Sequence, residues 1–347
     1  MRYRRWVASA LFILTALLTA CERQSLYRYQ SFAFGTLIEI KIRSDNKSLA
    51  NRASASLFAD FDRMHNDWHA WQPGLLTQTS SLLTSGQWFT ANSAVLALIK
   101  LSKHYSEMSN GLFNPVIGKL IQAWGFQGSE QPRYPPDQNT IDRLLQQLPT
   151  MNDVDIEDGR LRGNNSWLQL DLGAIAKGYA VSAGLKKMHG LGIKNALINA
   201  GGDLCGIGDQ GQRAWRIGIR DPSGEGIIAS INLENDECVF TSGDYERYFT
   251  HEGKRYHHII DPRTGYPADQ AVSVTVLHKN GALADAASTA LFIAGPDDWQ
   301  QLAKKMAVSD VMMIDKQGRI IMTPSMQKRI KLEPGNKNRI IISKPLT

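Results

Sequence analysis

An α+β fold with mixed or antiparallel sheets and packed helices is predicted for this 347-residue chain from three features. Short segments with alternating apolar residues fall in adjacent runs. Segments with helical apolar spacing lie between those runs. No Pro-, Ser- or Gly-rich linker divides the chain after residue 25, so it reads as one domain. Adjacent strand runs favour antiparallel pairing over the strict alternation of a doubly wound sheet. With 43% hydrophobic and 21% charged residues, disordered and coiled-coil classes are excluded. The net charge is +6, but Arg2, Arg4 and Arg5 lie at the very start. The remainder is only mildly basic and has no Lys/Arg run of the kind a nucleic-acid face needs.

Taking the elements in order, Arg2–Arg5 precede fifteen uncharged residues, Trp6 to Ala20. That stretch is shorter than a bilayer span and has the form of a secretory signal. It ends in Leu18-Thr19-Ala20-Cys21, which resembles a bacterial lipobox with Cys21 as the lipidated mature N-terminus. Tyr27–Arg43 is strand-like, with Phe34-Gly35-Thr36 inside it. Helices are expected over 48–66 and 92–110, separated by a loop containing Trp71-Gln72-Pro73. A loop covers 128–139, a short helix 140–148, and a hairpin turns at Asp158-Gly159. Trp167–Leu172 reads as a strand leading through a Gly-bearing turn into a helix at 174–190. Further strands are expected at 195–199, 213–220, 227–233, 237–241, 271–278, 309–315 and 319–323, with helices at 282–294 and 297–306. Cys205 and Cys238 either pair or remain buried free thiols; their spacing does not decide between them.

Four clusters carry chemistry. In Asp171-Leu172-Gly173-Ala174-Ile175-Ala176-Lys177, a carboxylate and a lysine flank a helix start, whose free N–H groups favour an anion; an ordinary strand-to-helix turn is the plainer reading. Asn199-Ala200-Gly201-Gly202-Asp203 permits close backbone approach, or is simply a tight turn. Thr241–Tyr245 and Tyr256–Gly265 are dense in titratable groups. In a strand, His257 and His258 would point to opposite faces, so at most one serves a given site. Asp285 and Thr289 stand four apart on a helix face, a hard-oxygen pair suited to Mg²⁺ rather than Zn²⁺. A solvated Asp285, with Thr289 bonded to the carbonyl four residues back, is the plainer reading of that pair. No GxSxG, HExxH, CxxC or Walker-type motif is present.

The order and wording of these clusters resembles the ApbE family, FAD:protein FMN transferases. The resemblance rests on Phe34-Gly35-Thr36, Trp71-Gln72-Pro73, Gly111–Pro115 through Trp124-Gly125-Phe126, and the four clusters, spanning about residues 30–323. It implies a T-fold-like domain over 30–347, after a signal peptide at 1–20 and a tether at 21–29. It also implies an enzyme that cleaves FAD with Mg²⁺, transfers FMN to a Thr or Ser hydroxyl of a membrane redox protein and releases AMP. The acceptor would carry a motif of Asp-Gly-x-Thr/Ser-Thr/Ser type, and the enzyme would sit lipid-anchored on the periplasmic side of the inner membrane.

By the same resemblance, His258 is the catalytic base, with an ordinary pKa near 6.5. Phe34, Trp71, Leu112, Phe113, Asn114, Asp171, Lys177 and Ile260 border FAD. Asp285, Thr289 and the Ala174 carbonyl hold the metal. Three residues depart from the family pattern: Asn114 replaces a usual Asp, Ala174 a frequent Gly, and Ser182 an Asp often found after Gly-Tyr-Ala. Because relatives carry Asp there, Asn114→Asp is expected to be tolerated. A flavin nucleotide hydrolase and a non-enzymatic FAD-binding lipoprotein are the alternatives.

Overall fold

The computed structural model describes residues 24–127, 134–334 and 339–346. The signal segment and Cys21 lie outside these residues. Among the described residues no helix is long and apolar enough to cross a membrane.

The chain opens with a hairpin, β1 (Ser25–Ala33) and β2 (Thr36–Ser44). One long strand was expected here. Phe34 (φ 53°) and Gly35 (φ 73°) instead reverse the chain, the paired positive φ of a type I′ turn. Residues 25–29, expected as tether, belong to β1. Next come α1 (Lys47–Asp67), α2 (Leu75–Thr84), β3 (Phe89–Thr90), α3 (Ser93–Met108), α4 (Gly118–Ala123) and α5 (Gln138–Gln146). Asn46, Asn92 and Asp137 start α1, α3 and α5 by accepting a main-chain N–H two or three residues ahead. The hairpin β4 (Val154–Glu157) and β5 (Arg160–Gly163) turns at Asp158-Gly159 as expected.

Trp167–Leu172 is not a strand. It lies beside residues 115–117, held by Gln169 N–H to the Val116 carbonyl (3.3 Å) and Asp171 N–H to the Pro115 carbonyl (2.9 Å). There follow α6 (Gly173–Gly190), β6 (Asn195–Ala200), β7 (Asp203–Ile207), β8 (Arg216–Arg220), β9 (Ile227–Asn232) and β10 (Glu237–Gly243). The hairpin β11 (Tyr248–His251) and β12 (Lys254–His257) leads to β13 (Ala271–His278). The C-terminal part holds α7 (Gly281–Lys305), β14 (Asp310–Asp315), β15 (Ile320–Met322), α8 (Pro324–Arg329), β16 (Ile330–Leu332) and β17 (Ile340–Ile342). The two helices expected at 282–306 are the halves of α7, which kinks at Gly295-Pro296.

Nine strands form the central sheet in the order β1-β2-β6-β7-β10-β13-β14-β15-β17, antiparallel except for β15–β17. Period-2 alternation sorts its side chains into two cores. Ile198, Cys205, Phe240, Val274 and Val276 face α1, α6 and α7. Leu197, Leu204, Val239 and Leu277 face the small sheet β16-β9-β8. A third cluster packs Trp124 and Phe126 against Phe249 and Ile260. Cys205 and Cys238 are register partners on β7 and β10 and form a disulfide.

Candidate active site

The site is built around the first two turns of α6. Asp171 accepts the Gly173 N–H on Oδ1 (2.8 Å), which satisfies one of the free donors at the helix start. Lys177, on the next turn, forms an ion pair with Asp203 of β7. The other oxygen of Asp203 accepts the Thr241 N–H of β10 (3.1 Å). One carboxylate therefore ties α6 to two central strands. Burial alone would lower the Lys177 pKa, but the charges of Asp203 and Asp285 outweigh it and the pKa is raised.

Asp285 enters from α7 and is 5% exposed, so the solvated reading is excluded. Its Oδ2 accepts the Gly178 N–H at 2.8 Å. In a helix that N–H points at the carbonyl four residues back, here Ala174, so the carboxylate lies on the face of α6 to which that carbonyl belongs. The crossing is close because α6 and α7 meet at glycines. A Cβ on Gly178 would lie 2.2 Å from the Gly281 carbonyl oxygen and 2.7 Å from Asp285 Cβ. Burial, with Asp203 adding to it, pushes Asp285 up to about 7 against the pull of Lys177 and the Gly178 N–H. Thr289, one turn on, shares a hydrogen bond with Ser242 Oγ of β10 (3.1 Å), and Ser242 also meets Ser288 Oγ (2.8 Å).

These residues fit a hard cation. Among the described residues Asp285 Oδ1 accepts no hydrogen bond, and a buried carboxylate pushed upward in pKa lacks a sufficient counter-charge. The donors at hand are all oxygen. No group of three or more His, Cys, Asp or Glu forms a metal cage among the described residues, so the site offers one carboxylate, one hydroxyl and one carbonyl.

His258 follows β12. Its N–H donates to the Arg247 carbonyl (3.1 Å), and its Nδ1 lies 3.3 Å from the same oxygen. A carbonyl only accepts, so Nδ1 carries the proton and Nε2 keeps its lone pair. The pKa expected near 6.5 is not what the surroundings produce. Burial, Arg247 and His257 hold His258 well below that value. His257 is 3% exposed, bonds through Nε2 to the Ala268 carbonyl (2.7 Å) and packs edge-on against Phe292. Burial brings it down to about 4.

The aromatic side of the site begins at the β1–β2 turn. Phe34 stacks on Trp68 at 6.3 Å, and Trp68 meets Tyr179 of α6 edge-on at 5.6 Å. Trp71 is half-buried nearby in sequence, with its N–H on His69 Nδ1 (3.1 Å). Burial and His65 lower His69, while Asp171 opposes them, so this loop borders the start of α6.

Phe113 and Ile260 are buried in the core, 2% and 4% exposed, and the Phe113 N–H donates to Ser109 Oγ (3.1 Å). Leu112 is half-buried and packs against the core that holds Phe113. Asn114 Nδ2 donates to the Pro149 carbonyl (3.0 Å), and Oδ1 accepts the Val116 N–H (3.3 Å). Sequence reasoning assigned no role to Asp203 or Ser242, which sit inside quoted clusters, or to Arg247, which lies just past Tyr245. Their partners are 26 to 47 residues away in the chain for Asp203 and Ser242, beyond the reach of local pattern.

The ApbE family model matches residues 34–313. The chain belongs to the ApbE family. It is 40% identical over 304 residues to the FAD:protein FMN transferase of Rhodobacter capsulatus, covering 88% of this chain and 58% of that protein. It therefore spans little more than half of that relative's length. A FAD:protein FMN transferase of Klebsiella pneumoniae (strain 342) is 30% identical over 315 residues, 89% of this chain and 95% of its own. The crystal structure of the ApbE protein of Thermotoga maritima superposes with a TM-score of 0.80 at 30% identity, covering 88% of this chain and 99% of that one. The α+β architecture is thus the ApbE fold.

Proposed function

We propose that this ApbE-family chain is a Mg²⁺-dependent FAD:protein FMN transferase that modifies a Thr or Ser of a membrane redox protein. The observation that carries the reading is the buried Asp285 carboxylate on the Gly178 N–H, one turn past Ala174 on α6 and within the field of Lys177.

FAD's flat rings suit the aromatic side near Phe34 and Trp71. Its pyrophosphate suits the charged side, where Lys177 is held ready by Asp203. The acceptor's hydroxyl oxygen bonds to the FMN-side phosphorus, the P–O–P bond breaks, and AMP leaves with the bonding electron pair. His258 Nε2 takes the hydroxyl proton, and the Arg247 carbonyl fixes the tautomer that makes this possible. Mg²⁺, held by Asp285, Thr289 and the Ala174 carbonyl, neutralises pyrophosphate charge when bound.

The acceptor carries an Asp-Gly-x-Thr/Ser-Thr/Ser type motif. Lipid on Cys21 tethers the enzyme to the periplasmic face of the inner membrane, where such acceptors lie. Incubation with FAD, Mg²⁺ and an acceptor should add the mass of FMN to the acceptor and release AMP. AMP without acceptor would mark a hydrolase, and FAD binding with no AMP a carrier. Cys21→Ser should abolish lipid labelling.

A further inference from the structure

The buried disulfide lies directly beneath the α6–α7 crossing. Cys205 and Cys238 are 0% and 2% exposed. They join β7 and β10, whose ladder is only three pairs long: Glu237–Gly206, Cys238–Cys205 and Val239–Leu204. Past that ladder the strands separate, and there Asp203 reaches Lys177 and Thr241, and Ser242 reaches Thr289.

Above the sulfurs sits Ser182 of α6, its Oγ 4.0 Å from each. The same hydroxyl oxygen accepts the Gly281 N–H at the start of α7 (3.0 Å). There is no slack at that point. A Cβ on Gly281 would lie 2.5 Å from Ser182 Oγ, 2.9 Å from the Gly178 carbonyl oxygen and 3.2 Å from Cys205 Sγ. Disulfide, Ser182 and the first residue of α7 are therefore in mutual contact, one helical turn before Asp285.

We propose that the Cys205–Cys238 disulfide and Ser182 are positioning residues for the metal ligand. Together they fix the depth at which α7 crosses α6, and so hold Asp285 against the Gly178 N–H and beside the Ala174 carbonyl. The proposal rests on the reading of Asp285 as a metal ligand. The full burial of the sulfurs makes the clamp permanent rather than a device opened by passing thiols.

The test compares wild type, Cys205→Ala/Cys238→Ala and Ser182→Ala by two readouts at a temperature where all are folded. One is the Mg²⁺ concentration giving half-maximal FMN transfer; the other is the rise in Tm on adding Mg²⁺ without FAD. Both variants should need about 10-fold more Mg²⁺, the low end of what outer-shell partners of a metal contribute. They should also show a smaller Mg²⁺-induced rise in Tm, with FAD affinity in Mg²⁺-free buffer retained. A lower Tm with unchanged Mg²⁺ dependence in both readouts would overturn the proposal, leaving the disulfide a brace for the sheet. Free thiols in the native protein isolated from an oxidising compartment would overturn it as well. Should the double variant not fold, Ser182→Ala decides, because it keeps the disulfide and removes only the acceptor for Gly281. If wild type transfers no FMN, the transferase reading fails, and the Mg²⁺-induced Tm comparison still decides this one.

Discussion

His257 and His258 are adjacent in the chain but face different surroundings: the first bonds the Ala268 carbonyl within the core, the second meets the Arg247 carbonyl at the charged cluster. His258→Asn should lower FMN transfer on the order of 10²-fold or more, the usual scale for a lost general base, with FAD still bound. His257→Asn should instead lower Tm and leave the rate per folded molecule within a few-fold. Equal rate losses would remove the assignment. Because burial and Arg247 keep His258 neutral well below 6.5, the rate at saturating Mg²⁺ should stay level through pH 6.5 and fall only in more acidic buffer. A limb centred at 6.5 would mean that the base lies elsewhere.

Stability should fall in acid through His257. Its pKa is about 4 folded and near 6.5 unfolded. Between those values the unfolded chain binds more protons, so stability rises with pH across that window. The contribution is complete above 6.5 and lost as pH falls through 4, about 3 kcal/mol in all. His258 adds in the same direction, so the clean measurement is a difference. Denaturant unfolding of wild type and His257→Gln at pH 7, 5.5 and 4 should show a gap that narrows as pH drops. A constant gap would contradict the burial argument.

Asn114→Asp should be destabilising, contrary to the tolerance expected from the family pattern. Asp would keep the acceptor for the Val116 N–H but place an oxygen where Nδ2 now donates to the Pro149 carbonyl at 3.0 Å. Losing that donor and facing two acceptors together costs about 1–3 kcal/mol. A drop in Tm with little change in the rate at saturating FAD is the expected outcome. An unchanged Tm would show that the Pro149 contact contributes nothing.

Much of the fold was legible because its signals are local. Asn46 and Asn92 cap the helices that follow them, and Asp158-Gly159 makes the turn its type demands. The failures are instructive. Phe34 in a left-handed conformation has no local signature, so a hairpin read as one strand. α2 was missed because Leu75–Thr84 is rich in Ser and Thr after Pro73-Gly74, although Gly74 N–H bonds Thr77 Oγ1 at 3.0 Å to start it. Trp167–Leu172 has the apolar content of a strand but is buried by residues 115–117 instead of by a ladder. Lys177, His258, Asp285 and Thr289 stood out in the sequence by motif identity. Asp203 and Ser242, the partners of Lys177 and Thr289, did not, and neither did the bond of Ser182 to the Gly281 N–H, since only the tertiary structure brings these groups within bonding distance.

The metal prediction follows from the burial of Asp285. Asp285→Ala removes the only carboxylate assigned to Mg²⁺, a cation that keeps several waters and takes few protein ligands. The variant should still fold. Asp285 is buried, but its carboxylate is costly there, as the rise to about 7 attests. Lys177 keeps Asp203 as its partner, and the Gly178 N–H still has the Ala174 carbonyl that the helix gives it. Loss should therefore appear in function: far more Mg²⁺ for half-maximal transfer, or no transfer at any concentration. Thr289→Val should show a milder form, because a neutral ligand contributes less and Ser242 retains Ser288 Oγ at 2.8 Å. Titrating Mg²⁺ against FMN-transfer rate for wild type and both variants, with FAD binding measured separately in Mg²⁺-free buffer, distinguishes a metal ligand from a substrate contact. If Asp285→Ala keeps the wild-type Mg²⁺ dependence, the cation binds elsewhere, and the carboxylate is left as a helix-crossing hydrogen bond to Gly178.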